Sequence, residues 1–149
     1  MNSPLLNKLL SSKAGVASFI LRAPIGLILA AHGAQKLFSW FGGYGLEGTG
    51  QWMASIGMTP GYLMALLAGS AEFFGGLALL LGLLTRPAAV VAAFTMVVAI
   101  LSVHISNGLF MANNGYEYAL TLLVALIVLA VQGGGSFSLD NVLSKKLNN

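Results

Sequence analysis

Four long apolar runs, separated by polar or glycine-rich stretches, set the pattern of this chain. They extend from about Gly15 to Phe38, Pro60 to Leu84, Pro87 to Ser106 and Tyr116 to Gln132. A helix crossing a bilayer needs roughly 20 apolar residues. The first three runs meet that length and the fourth lies near its lower limit. Helix-start signals precede the second and third runs: Thr59 before Pro60, and Thr85 shortly before Pro87, a capping side chain followed by a proline in the first turn. "LLTRP" reads as a tight turn, "NGLFMANNG" as a loop, and "GGGS" as the end of the fourth run before a polar tail with Lys145 and Lys146. Ahead of the first run, Leu5, Leu6, Leu9 and Leu10 interleave with Lys8 and Lys13. That pattern predicts a short helix lying on the membrane surface, with Pro4 in its first turn. The expected architecture is an all-α, four-transmembrane-helix bundle with a short N-terminal interfacial helix, one domain over residues 1–149.

Composition sharpens this picture. The chain of 149 residues is 57% hydrophobic and 7% charged, whereas a soluble domain carries about 25% charged residues. Too few charges remain to cover a water-facing surface, so the chain reads as an integral membrane protein. Its net charge of +3 comes from dispersed basic residues, which excludes a nucleic-acid footprint. The absence of cysteine excludes disulfides, thiol nucleophiles, iron–sulfur clusters and CxxC redox chemistry within this chain. Arg22 and Pro24 interrupt the first run, which argues against a cleaved signal peptide. Lys8, Lys13, Arg86, Lys145 and Lys146 fall on one side of four crossings, and the loops at about 39–59 and 107–115 carry no lysine or arginine. The positive-inside rule therefore predicts both termini in the cytoplasm.

Polar residues within the runs are the candidates for chemistry, because charges in a bilayer normally face the bundle interior. They are Arg22, His32, Lys36, Glu72, His104 and Glu117. At about 1.5 Å rise per residue, Glu72 lies roughly 15 Å from the outer end of its helix and Arg22 roughly 10 Å from the inner end of its own. The pair is expected to form a buried ion pair or proton site. Arg22, Gly26, Leu29, Gly33 and Lys36 share one helix face, and Gly69 and Gly76 flank Glu72 at helical spacing, a pattern for close helix packing. His32, Lys36, His104 and Glu117 are expected at similar outer depth. The loop bearing Trp40, Phe41, Tyr44 and Trp52 reads either as an aromatic belt or as a lid, with a short helix over "GQWMASI" capped by Thr49 and stopped by Gly57. The candidate pocket is thus His32, Lys36, His104, Glu117, Trp40 and Trp52. Each residue also has a plainer reading: Lys36 as a snorkelling cation, the histidines as helix–helix hydrogen-bond partners, Glu117 as a first-turn carboxylate. No HxxxH or HExxH spacing occurs, so a metal site or bis-histidine haem is disfavoured. Histidine, lysine, glutamate and aromatics suit a quinone headgroup better.

The stretches "LRAPIGLILAAHGAQKLFSWFGG", "AEFFGGLALLLGLLTRPAA", "NGYEYALTLL" and "GGGSFSLD" resemble the DoxX family of small bacterial membrane proteins. The residues carrying the resemblance are Arg22, His32, Gly33, Lys36, Glu72, His104, Glu117 and Asp140. It implies a four-helix protein of the bacterial inner membrane. Some relatives are subunits of a thiosulfate:quinone oxidoreductase, others are linked to oxidative or quinone stress, and family membership alone does not name a substrate. The leading expectation is a quinone-associated membrane redox protein or subunit of a membrane oxidoreductase complex. Two alternatives stand beside it: a non-catalytic membrane scaffold, and a small-molecule carrier with Glu72 as proton site. The expected partners are the lipid bilayer, a quinone or other small molecule, and a membrane or peripheral redox protein or a second copy of the chain.

Overall fold

The computed structural model describes residues 4–147. Among them the regular structure is helical, with no strand. The α-helices are α1 (Pro4–Leu10), α2 (Gly15–Phe38), α3 (Gly45–Ser55), α4 (Gly61–Leu81), α5 (Thr85–Ala99), α6 (Glu117–Gln132) and α7 (Leu139–Leu147). A π-turn over Ile100–His104 and a 3-10 turn to Asn107 prolong α5. Three segments are long and apolar enough to cross a membrane: Gly15–Phe38, Gly61–Leu81 and Thr85–Asn107. Helix α6 is apolar but has 16 residues, about 24 Å at the usual rise. Large apolar side chains face outward all round the molecule: Leu27 on α2, Phe74 on α4, Phe94 on α5 and Val131 on α6 are each 60% exposed or more. Water would not tolerate that surface; hydrocarbon does. The chain is a multi-pass membrane protein.

Glycine sets how closely α2 and α4 approach. A Cβ on Gly33 would collide with the backbone of Phe73, and one on Gly26 would stand 2.6 Å from the carbonyl oxygen of Gly76. The helices run antiparallel in this register, backbone against backbone, as small residues permit in a bilayer. On the other side, α5 and α6 lie antiparallel. Leu29 and Leu79 join Ala89, Ala92, Met96, Ile100, Ala119, Leu122, Leu126 and Leu129 in one apolar core.

Backbone capping holds the end of the molecule where α4 meets α5. Arg22 is fully buried and spends its guanidinium on carbonyls. Its Nε donates to Gly134 at 3.0 Å, one terminal nitrogen to Leu79 (3.1 Å) and Leu80 (2.9 Å), and the other to Ser136 (3.3 Å) and Phe137 (2.7 Å). Leu79 and Leu80 belong to the last turn of α4, whose carbonyls have no partner within the helix. The Phe19 ring covers the guanidinium at 5.3 Å. Arg86 does the same for α6, donating to Ala130, Val131 and Gln132, and also to Ser11. The segment following Gln132, expected as a polar tail, instead folds back as α7. Its Asp140 carboxylate accepts from the N–H groups of Leu84 (2.7 Å) and Thr85 (2.8 Å).

Three capping expectations are corrected here. Asp140, not Thr85, caps α5, and the Thr85 hydroxyl is buried without a hydrogen bond. Helix α4 begins at Gly61 after Pro60 with no side-chain cap from Thr59. Helix α3 begins four residues before Thr49, which is buried inside it.

Candidate functional site

The α2–α4 register decides which charges meet. With Gly26 against Gly76, Arg22 lies level with Leu79 and Leu80. Glu72 is seven to eight residues further along α4, about 11–12 Å away along the axis, opposite Gly33 and Lys36. The expected Arg22–Glu72 pair is therefore not formed. Glu72 Oε2 accepts from Lys36 Nζ at 2.6 Å, and the Lys36 and Glu72 side chains are 24% and 7% exposed. Lys36 does not snorkel outward: its Cβ packs on Gly69, and its ammonium turns to the carboxylate. The pair joins two helices already in backbone contact.

Beside this pair lies a cavity of about 620 Å³ between α4 and α5. Met64, Leu67, Ala68 and Ala71 line it from α4, and Val91, Phe94, Val98 and Ala99 from α5. Helix α3 lays Trp52 and Met53 over it. The close approach of Gly50 to Gly61 lets α3 cross the start of α4 this tightly. Its few polar groups are Lys36, Glu72, Thr95, Ser102, His104 and Asn114. Leu67 and Phe94 are more than half exposed, so the lining reaches the lipid-facing surface between the two helices.

His104 arrives at the end of the π-turn, a helix irregularity that recurs at functional sites. Its Nδ1 lies 2.9 Å from the carbonyl oxygen of Asn114, and Asn107 Nδ2 donates to the same oxygen at 3.1 Å. The Glu117 carboxylate ties the same loop by accepting from the Met111 N–H at 2.7 Å.

The candidate pocket is thus assembled in part. Lys36, Trp52 and His104 line one cavity, and Glu72 joins them. The other three stand outside its lining. The His32 ring sits 6.1 Å from that of Tyr118 on α6, while remaining within electrostatic reach of Lys36 and Glu72. Glu117 is occupied with its loop. Trp40 packs on Phe38 and Phe41 and is 55% exposed. The two readings of the aromatic loop divide along the chain: Trp40, Phe41 and Tyr44 form an exposed aromatic group, while Trp52 covers the cavity. Among the described residues no group of three or more His, Asp or Glu stands close enough to hold a metal.

Fold and site define a small helical multi-pass membrane protein whose apolar cavity is lined in part by a Lys36–Glu72 ion pair. The chain belongs to the DoxX family, which it matches over residues 17–105, from α2 through the π-turn that carries His104. It is 34% identical over 134 residues to a Bacillus subtilis protein named "Putative oxidoreductase CatD", covering 90% of this chain and 92% of that one. It is 37% identical over 108 residues to the Escherichia coli inner membrane protein YqjF, covering 68% and 77%. A second Escherichia coli inner membrane protein, YphA, is 31% identical over 125 residues, covering 78% and 89%. No solved structure gives a significant match.

Proposed function

We propose that this protein is a four-span protein of the bacterial inner membrane, with both termini cytoplasmic, that binds a membrane quinone between α4 and α5 and serves a membrane oxidoreductase complex. One observation carries the reading: an apolar cavity that reaches the lipid-facing surface between α4 and α5 is lined by the polar residues Lys36, Glu72 and His104. Its volume falls within the range of about 300–1,000 Å³ that holds small ligands. A lipid-soluble ring fits both halves of the site. Its substituents lie against Leu67, Val91 and Phe94, and an oxygen of the ring reaches Lys36 beside Glu72. Lys36 retains two N–H groups beyond the one given to Glu72, enough to hold a ring carbonyl. Trp52 offers an indole face above the site.

A bound quinone supplies carriage of two electrons and two protons. The residues of this chain hold and orient the ring and keep water from it. With no cysteine in the chain, thiol or disulfide chemistry falls to a partner. The printed name of the Bacillus subtilis relative supports the oxidoreductase assignment, and the names of the Escherichia coli relatives support the inner membrane. Support for a fourth crossing comes from α6 itself. Its C-terminal carbonyls meet Arg86 at the start of α5, and the loop before it meets His104 at the far end, so α6 runs beside the whole of a spanning helix.

Native mass spectrometry of the protein gently solubilised from bacterial membranes tests the binding. The wild type should carry a quinone-sized mass. Ala71→Phe, which fills the cavity beside Glu72, should lose it. A wild type without that mass, or an Ala71→Phe variant that keeps it, overturns the reading.

A further inference from the structure

We infer that the groove between the end of α4 and α7 binds an anionic phospholipid, its acyl chain along the groove and its phosphate at Lys145 and Lys146. The inference starts from the orientation of α7, which is the reverse of that of a helix facing water. Its polar Asp140 and Ser144 are buried against the protein, while Leu139, Val142 and Leu143 are exposed. Phe137, just before it, is 75% exposed and sits at a left-handed φ of 56°, a conformation uncommon for a bulky residue. Its ring meets that of Phe19 on the spanning helix α2 edge-on at 5.7 Å. The apolar surface of the spanning helices thus continues onto α7, and hydrocarbon matches it where water does not.

The groove has a volume of about 650 Å³. Leu80 and Leu81 line it from the end of α4, and Phe137, Leu139 and Val142 from the other side. Both walls are fixed before anything binds. Arg22 donates to the carbonyls of Leu80 and Phe137, and the Asp140 N–H donates to that of Gly82. A preformed groove lowers the ordering cost of binding. Charge identifies the occupant. Lys146 follows Val142, and Lys145 follows Asn141, by four residues, so both stand one turn beyond the lining on the same side of α7. Helical side chains lean toward the N-terminus, which aims both stems back toward the groove. Both lysines are exposed, and neither has an ion pair among the described residues, where Lys36–Glu72 is the sole salt bridge. Asp140 is the only acidic residue after Glu117, and both its oxygens are taken by backbone N–H groups. Two uncompensated cations above an apolar groove complement a phosphodiester on an acyl chain. Lysines that merely favoured the C-terminus of α7 would give no preference among lipids.

The test uses the full chain in mild detergent and a volatile buffer of low ionic strength. Phosphatidylglycerol and phosphatidylcholine with identical acyl chains are titrated separately, and the first bound lipid is read by native mass spectrometry. A lysine near anionic lipid is worth about fivefold in affinity, so phosphatidylglycerol should bind at least fivefold more tightly. Lys145→Gln with Lys146→Gln should bring the two lipids within about twofold. Lys8→Gln with Lys13→Gln removes the same charge from residues outside the groove lining and should keep the preference. Val142→Trp, at a half-exposed position that tolerates a larger side chain, blocks the groove and should weaken both lipids at least threefold. Equal binding of the two lipids by the wild type, or a full preference kept without Lys145 and Lys146, overturns the headgroup assignment. Loss of the preference in the Lys8 and Lys13 variant overturns a local site in favour of general attraction to the basic face. Undiminished binding by Val142→Trp overturns the groove as the seat of the acyl chain.

Discussion

Glu72 offers a sharp test of how this fold handles charge, because the structure partners it with Lys36 and not with Arg22. Removing Lys36 as Lys36→Met leaves a carboxylate that is 7% exposed beside apolar walls. Breaking a buried pair from one side costs about 3–5 kcal/mol. Lys36 is a quarter exposed, so the loss should sit near the lower end, about 3 kcal/mol. Glu72→Gln should cost less, about 1–2 kcal/mol, because the stranded ammonium rides a flexible stem that can swing toward the cavity mouth. The double variant removes both charges and should lose no more than Lys36→Met alone, a coupling of about 1–2 kcal/mol. Reversible unfolding in mixed detergent micelles, followed by helical circular dichroism, measures all four corners of the cycle. A second cycle pairs Arg22→Met with Glu72→Gln. Those losses should add within about 0.5 kcal/mol, since Arg22 gives its hydrogen bonds to carbonyls on another level of α4. Additivity in the first cycle, or strong coupling in the second, would refute the register argument.

Arg22→Met alone should be among the most damaging single substitutions, by about 3–5 kcal/mol. It strands carbonyls of α4 and of the segment 134–137 at once. Limited proteolysis should then cut between Gln132 and Leu139, and protection equal to wild type would contradict this role. The proposed four crossings predict that a cysteine introduced as Ser11→Cys or Lys145→Cys is shielded from an impermeant thiol reagent on intact cells, while Glu47→Cys and Asn113→Cys are labelled. The chain has no native cysteine to confuse the result. Labelling of Lys145→Cys with protection of Ser11→Cys would mean that α6 does not cross.

Much of the fold is legible in the sequence because hydrocarbon imposes a simple rule. A segment surrounded by lipid must be apolar and satisfy its own backbone, so the long runs announce their helices, and glycine at helical spacing announces the α2–α4 contact. The rule ends where the chain leaves hydrocarbon. Helix α7 is short, and Lys145 and Lys146 make it look like a solvated tail. Its anchors, Arg22 and Asp140, lie 118 residues apart in sequence, and each works on backbone atoms that carry no sequence signal. The capping threonines mislead for a related reason. Thr85 has the right residue type, but the N–H groups its side chain could cap are those of Pro87, which has none, and Ala88, which donates to the Leu84 carbonyl at 3.0 Å; the Asp140 carboxylate takes the Leu84 and Thr85 N–H groups instead.

The candidate site shows how one error of register propagates. Depth counted from helix ends put Arg22 and Glu72 within reach of each other, and no inspection of either helix alone corrects that. The correction needs the pairing of Gly26 with Gly76, a relation between two helices. Once it holds, Lys36 changes from a boundary cation into the partner of Glu72, and the pair lines a cavity between α4 and α5. His32 then turns its ring toward Tyr118, outside the cavity lining, while staying one turn from Lys36 and within electrostatic reach of the Lys36–Glu72 pair. His104 stays, because its own π-turn and the Asn114 carbonyl place it independently of α2. A site built from several helices therefore inherits its membership from packing, and only residues whose position is set locally, as His104 is, can be assigned to it without knowing the register.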